Sequence, residues 1–366
     1  MLQKLFYNNL TQHLNKTNLK ALIFSGKEKV DYESISDPKI INPTDAIVRV
    51  SLCAICGSDL HVYHERETGI DLGTAMGHEF TGEVLEVGNE VKSIRVGDKI
   101  MSPFTTSCGK CFYCSIGLTC RCIHSQLFGW REKEIGLHGA QAEFVRVPLA
   151  DSTLIKVPEG INEDEALILG DIIPTGYFCA LQAEVKPTGT YAVIGCGPVG
   201  LMAILGARIL GAENIYAIDK ESKRLEYAKK FGAVPINVNV DDPKKIILEA
   251  TQDRGADSAM EAVGSAATLK IAFDLLRPGG ILSAVGVCTD SHLPFSPTQA
   301  YDKNITYKVG RCPARYLMPK LTPILQEKLY EFTSIITHRI DLKNGADGYR
   351  IFSNKEDNCL KVVMKP

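Results

Sequence analysis

The sequence predicts an α/β protein in two parts: a doubly wound parallel sheet, and an irregular antiparallel β region that carries a cysteine-rich lobe. Three observations point there. Apolar strand candidates alternate with helical stretches between about residues 164 and 312, short alternating runs broken by glycines fill residues 20–148, and four cysteines crowd into residues 108–122. A chain of 366 residues is also long for one hydrophobic core and natural for two.

Along the chain, residues 1–19 hold Lys4 and Lys16 among Asn, Gln and Leu. They lack both a continuous apolar stretch and a small-residue cleavage site, so an N-terminal extension is expected rather than a secretory signal. Strand candidates at 46–50, 82–88 and 96–100 alternate apolar and polar residues between glycine turns, as half-buried antiparallel strands do. The tempo then changes. Strands are expected at 191–194, 215–218, 258–261 and 281–285, with helices at 199–210 and 220–231 between them, an alternation that argues for a parallel sheet. A last helix at 322–332 and an apolar strand at 360–364 are expected to return to the first part.

Composition narrows the function classes. A net charge of −2 without any basic block gives no reason to expect nucleic acid, and no eighteen-residue apolar run suggests a membrane span. Twelve cysteines in a long chain without a secretory signal fit a reducing, cytoplasmic compartment, where clustered thiols bind metal more readily than they pair.

Cys108, Cys111, Cys114 and Cys122 stand at C-x2-C-x2-C-x7-C spacing. Thiolates so close in a loop can converge on one tetrahedral ion, and four protein ligands leave no position open for substrate. This is the spacing of a structural zinc; Cys120 competes with Cys122 as the fourth ligand, and the longer gap favours Cys122. A disulfide cluster is the competing reading, set aside on compartment.

Gly195-Cys196-Gly197-Pro198-Val199-Gly200 follows a predicted strand and opens a predicted helix. The first glycine permits a tight turn, the second lets backbone approach a pyrophosphate, and the third lets helix and strand pack closely. Asp219 closes the next strand, where an acid can take a ribose 2′-hydroxyl. A 2′-phosphate would meet that carboxylate unfavourably, so NAD is expected rather than NADP, although Lys220, Lys223 and Arg224 stand nearby.

Cys56-Gly57-Ser58-Asp59-Leu60-His61, Gly77-His78-Glu79 and 170–177 (Gly-Asp-Ile-Ile-Pro-Thr-Gly-Tyr) complete the pattern. With the cysteine lobe and the glycine motif, in this order, the chain resembles the zinc-dependent medium-chain alcohol dehydrogenases from Leu19 onward. It is similar in particular to the bacterial branch of formaldehyde dehydrogenases and related alcohol dehydrogenases.

The resemblance implies a Rossmann domain at 171–312 and a GroES-like catalytic domain at 20–170, with 313–366 returning to the latter. It implies two zinc ions per subunit: a catalytic one held by Cys56, His78 and Asp171 with Glu79 beside it, and a structural one in the lobe. Ser58 would touch the substrate oxygen and His61 would relay its proton. Thr175 would contact nicotinamide, Val199 would back the cofactor, Arg224 would reach the adenosine ribose, and Lys361 would meet the pyrophosphate. Asp171 departs from the cysteine of many alcohol dehydrogenases and the glutamate of polyol dehydrogenases, and Gly57 replaces a frequent arginine.

The implied activity is interconversion of an alcohol with its aldehyde or ketone by hydride transfer to NAD, in a homotetramer or a dimer. A polyol, threonine or other specialised dehydrogenase, an aldehyde dismutase, and an idle cofactor-binding protein remain as alternatives.

Overall fold

The computed structural model describes residues 18–366. Six parallel strands form one sheet, in the spatial order Val234–Asn237, Asn214–Asp219, Thr190–Ile194, Ala256–Glu261, Leu276–Ala284, Thr306–Val309. Every residue of the central strand Thr190–Ile194 is buried, as expected when helices cover both faces of a parallel sheet. The chain reverses its direction of winding between Thr190–Ile194 and Ala256–Glu261. A crevice at such a switch point, beyond the strands' C-terminal ends, is where open α/β sheets bind ligands.

The second sheet has seven strands. Its path runs His338–Asp341, Val362–Lys365, Ala46–Ile55, Glu79–Val87, Lys99–Met101, Ile155–Lys156, with Phe144–Val147 also paired to Ala46–Ile55. The C-terminal tail therefore does return: Val362 pairs with Ile55 and Met364 with Cys53.

Three expectations change in detail. Residues 96–97 are not in the strand read at 96–100: Gly97 turns at φ +88° and pairing starts only at Lys99. The helix expected at 322–332 is Ala314–Gln326, with Pro319 and Pro323 inside it. Proline forfeits a helical hydrogen bond and crowds the preceding turn, which is why the sequence reads as broken there. Both prolines are exposed, while Leu317, Met318, Leu321 and Leu325 are buried in the core that also holds Ile172, Ile173 and Leu201. Burial of that stripe outweighs local propensity. Finally, Asn18 and Leu19 already belong to the strand Asn18–Gly26, so the extension placed at 1–19 is shorter; residues 1–17 lie outside the described residues. Among those described, no helix is long and apolar enough to cross a membrane.

Candidate active site

Strand register builds the first cluster. Ala54 pairs with Glu79 across antiparallel strands, which brings Cys56, just past one strand, beside His78, just before the other. Gly77 makes the approach to His78 at φ +88°, and a Cβ there would lie 2.4 Å from Gln141 Cγ, so both the turn and the space call for glycine. Asp171 arrives from elsewhere, at the N-terminal end of the helix Ile172–Gln182. One ligand atom from each of Cys56, His78, Glu79 and Asp171 lies within 4.8 Å of all the others, and all four residues are buried. Cys56 Sγ is 3.5 Å from Asp171 Oδ2, and His78 Nε2 is 3.4 Å from the same oxygen.

The electrostatics of this pocket call for a cation. Burial pushes the Cys56 thiol up to about 11, and Asp171 and Glu79 push the same way. For His78, burial alone would lower the pKa, yet Asp59, Asp171 and Cys56 hold it well above the usual histidine value. A proton on the imidazole or a metal ion at Nε2 would answer the same field. One carboxylate oxygen, Glu79 Oε2, is buried with no hydrogen-bond partner among the described residues. Thiol, imidazole and carboxylate are the donor types zinc takes, so the residues fit the ion.

Around the cluster lies a shell that the sequence did not reveal. Asp59 Oδ1 sits 3.2 Å from His78 Nδ1, and its Oδ2 accepts from the Cys56 N–H at 2.9 Å and from Gln141 Nε2 at 3.3 Å. Tyr349 OH, from the helix Gly345–Asn354, donates to Gln141 Oε1 at 2.8 Å. A carboxylate on one imidazole nitrogen fixes the ring and directs the other to a metal. The only available signal for Asp59 was its place three residues after Cys56, on the turn that opens the helix Asp59–Tyr63.

Ser58 Oγ is 3.2 Å from His78 Nε2, on the side of the imidazole that faces the cluster. His61 is buried, its Nδ1 has no partner among the described residues, and burial lowers its pKa, with Glu67 opposing. Thr175 Oγ1 donates to Asp171 Oδ1 at 3.1 Å.

Lys361 is not where the resemblance put it. Its side chain is completely buried, with Nζ 2.6 Å from Glu79 Oε1 and 3.0 Å from the Ile55 carbonyl. It precedes the last strand, whose pairing with Ala46–Ile55 brings the ammonium to Glu79 and out of contact with solvent.

The glycine turn is built as its spacing predicts. Gly195 has φ +90°, and a Cβ on Gly200 would stand 1.7 Å from the Gly195 carbonyl oxygen. At Gly197 the space is open except for Arg224 Nη1, 3.7 Å from a Cβ. Pro198 and Val199 start the helix Pro198–Ile209. Asp219 is locked to the turn: Oδ2 accepts from the Cys196 N–H at 2.7 Å, and Oδ1 from those of Lys220 and Glu221. Arg224 Nη1 is 3.9 Å from Asp219 Oδ2.

In the lobe, sulfur atoms of Cys108, Cys111, Cys114 and Cys122 also lie within 4.8 Å of one another. Backbone N–H groups of Cys108 and His124 point at Cys122 Sγ, and that of Cys111 at Cys108 Sγ. Backbone hydrogen bonds, led by that at Cys114, lower the Cys111 thiol, while burial raises its neighbours Cys114 and Cys122; the thiolate is the form that binds a metal. Cys120 points away, to the Arg311 carbonyl.

Comparison with known proteins identifies the family. The sequence model of the alcohol dehydrogenase GroES-like domain matches residues 42–159, and that of the zinc-binding dehydrogenases matches residues 198–327. The zinc-type alcohol dehydrogenase B of Aspergillus flavus is 41% identical, over 96% of this chain and 82% of its own. The chain belongs to the zinc-dependent medium-chain alcohol dehydrogenases. The enzyme's GroES-like and Rossmann-like parts superpose on an alcohol dehydrogenase from Thermus sp. ATN1 with a TM-score of 0.88, at 38% identity over 94% and 99% of the two chains. A zinc-dependent alcohol dehydrogenase of Streptococcus pneumonia gives 0.87, at 32% identity over 95% and 98%. As a member of this family the protein is an oxidoreductase that interconverts alcohols with aldehydes or ketones.

Proposed function

We propose that Cys56, His78 and Asp171 hold a catalytic zinc, that Cys108, Cys111, Cys114 and Cys122 hold a structural one, and that the hydride acceptor is NAD. The observation that carries the reading is the buried cluster with Ser58 Oγ 3.2 Å from His78 Nε2, which sets a hydroxyl beside the ligand atoms.

Zinc, when bound there, supplies the Lewis acidity that lets an alcohol ionise near neutral pH. NAD supplies the hydride acceptor, and the protein supplies alignment and electrostatics. Ser58 holds the substrate hydroxyl and takes its proton. His61, in the helix that Ser58 precedes and with its pKa lowered by burial, accepts that proton and passes it to solvent. Glu79 stands behind the ligands with one free oxygen, able to approach the ion. Thr175, tied to Asp171, faces the nicotinamide end. Gly195, Gly197, Pro198, Val199 and Gly200 receive the pyrophosphate at a helix N-terminus, and Arg224 reaches the adenosine ribose.

Asp59→Ala is expected to weaken zinc at the catalytic cluster by about 10- to 100-fold, the usual effect of losing an outer-shell partner. Chelator competition measures it; an unchanged affinity would show that the Asp59–His78 contact does not tune the site.

Asp219 supports NAD over NADP. Asp219→Ser is expected to lower kcat/KM for NAD roughly 10-fold or more, the value of a charge-assisted hydrogen bond, and to narrow the gap to NADP. The overall reading is tested by metal analysis and by turnover of primary alcohols, secondary alcohols, polyols and formaldehyde with each cofactor. Two zinc ions per subunit and NAD-linked turnover are expected; fewer ions and no turnover would favour an idle cofactor-binding protein. A homotetramer is the proposed assembly, with a dimer as the alternative. Phe112, Ile116 and Ile123 on the lobe and Val309 at the sheet edge are exposed apolar side chains, the kind of surface that subunit contacts cover.

A further inference from the structure

Glu261 ends the strand Ala256–Glu261, paired with Ile194 across the reversal of winding and so beside the glycine turn. The residue is fully buried, and its carboxyl group folds back onto the chain that follows it. Oε1 accepts from the N–H groups of Val263 at 2.9 Å and Gly264 at 2.8 Å, and from the Thr268 hydroxyl at 2.8 Å. The Glu261 main-chain carbonyl accepts from Val285 at 3.0 Å and Gly286 at 3.3 Å. One residue thus ties the strand end to the turn 262–264, to the helix Ala266–Leu275 and to the loop after the next strand.

The turn held in this way packs on the dinucleotide motif. Ala262 N–H donates to the Ile194 carbonyl at 3.0 Å, just ahead of Gly195. Val263 Cγ2 would lie 2.2 Å from a Cβ on Gly195, and Ala262 Cβ 3.6 Å from one on Gly200. Val263 is still 45% exposed, so its side chain reaches the motif without being enclosed there. Gly264 turns at φ +83°, and a Cβ on it would stand 2.2 Å from the Val287 carbonyl oxygen. Main-chain donors in so tight a turn need an acceptor, and Glu261 Oε1 serves both Val263 and Gly264. Oε2 is buried with no hydrogen-bond partner among the described residues. Glu261 also lines a cavity of about 220 Å³ together with Cys288 and Tyr307, which leaves room beside it.

We propose that Glu261 is a positioning residue for the cofactor: it sets the turn that carries Val263 against Gly195, and with it the wall of the crevice in which the dinucleotide lies. This rests on the reading of that crevice as the NAD site. The acceptor at Oε1 is what the turn requires, and a neutral amide oxygen can supply it as well as a carboxylate.

The test titrates NAD into the full-length, zinc-loaded protein by calorimetry and sets the affinity beside steady-state kinetics. Glu261→Ala is expected to weaken NAD about tenfold, because binding must then restore the turn with its donors unmet. The KM for NAD should rise with it, and the KM for the alcohol should not. Glu261→Gln keeps the acceptor and should restore most of the affinity. Val263→Ala should weaken NAD as well, and adding it to Glu261→Ala should cost little more, since both act through one side chain. Should the alanine variant not accumulate, Glu261→Asp, which draws the acceptor back by a methylene, serves the same comparison. A lower melting temperature with unchanged NAD affinity would make the role purely structural and overturn the proposal. So would full additivity with Val263→Ala, or a glutamine variant as weak as alanine. A wild-type protein that binds no NAD would instead overturn the reading of the crevice, and the proposal with it.

Discussion

Asp171→Ala is expected to abolish alcohol oxidation, lowering kcat by at least roughly a thousandfold, and to leave one zinc per subunit where two are expected in wild type. The size follows from the Lewis-acid contribution of a catalytic metal, worth several kcal/mol of charge stabilisation at about 1.4 kcal/mol per factor of ten. Asp171 Oδ2 is the atom that Cys56 Sγ and His78 Nε2 both approach, so its loss opens the cluster on one side. The helix Ile172–Gln182 should survive, because the Asp171 side chain accepts no backbone N–H from it and the carbonyl that accepts from Thr175 is kept; an unchanged far-UV circular dichroism spectrum checks this. Retention of both zinc ions by the alanine variant would remove Asp171 from the ligand set. Asp171→Cys separates charge from hardness. A thiolate donates more than a carboxylate and leaves the ion less acidic, so the activity profile should move to higher pH. An identical profile would refute that effect.

Lys361→Met is expected to destabilise the enzyme by about 3–5 kcal/mol, the cost of stripping one partner from a buried ion pair. Lys361 and Glu79 are both fully buried, with 2.6 Å between Nζ and Oε1. Burial works against the lysine's charge, yet Glu79 beside it keeps its pKa above the ordinary value, while burial raises that of Glu79; the 2.6 Å contact is what holds the pair charged, and the substitution strands a carboxylate. Adding Glu79→Gln should recover much of the loss, because a neutral amide is cheaper to bury than an unpaired charge. Thermal melts of the four proteins in the cycle give the coupling directly. A lysine serving the pyrophosphate would behave differently, raising the KM for NAD with little change in melting; that outcome would return Lys361 to the cofactor.

These two residues mark the limit of what spacing encodes. The glycine turn, Asp219 at the next strand end and the four-cysteine lobe were legible because each is assembled by a turn or by consecutive units of one sheet. Cys56 and His78 were recognisable only with the aid of family resemblance, and the register of Ala54 with Glu79 explains their meeting. The helix Ala314–Gln326 was misplaced because its prolines carry the stronger local signal, while the apolar stripe that holds it has meaning only once a core exists to receive it.

From its residues alone, then, this chain declares a parallel sheet with a dinucleotide turn and a closed metal lobe, because periodicity and short-range spacing dictate which groups a local segment can bring together. The assignment of Asp59 to His78 and of Lys361 to Glu79 came from folding. Glu79 and Lys361 are 282 residues apart, and no local pattern relates them. A buried charge must find its partner wherever the sheet register delivers one.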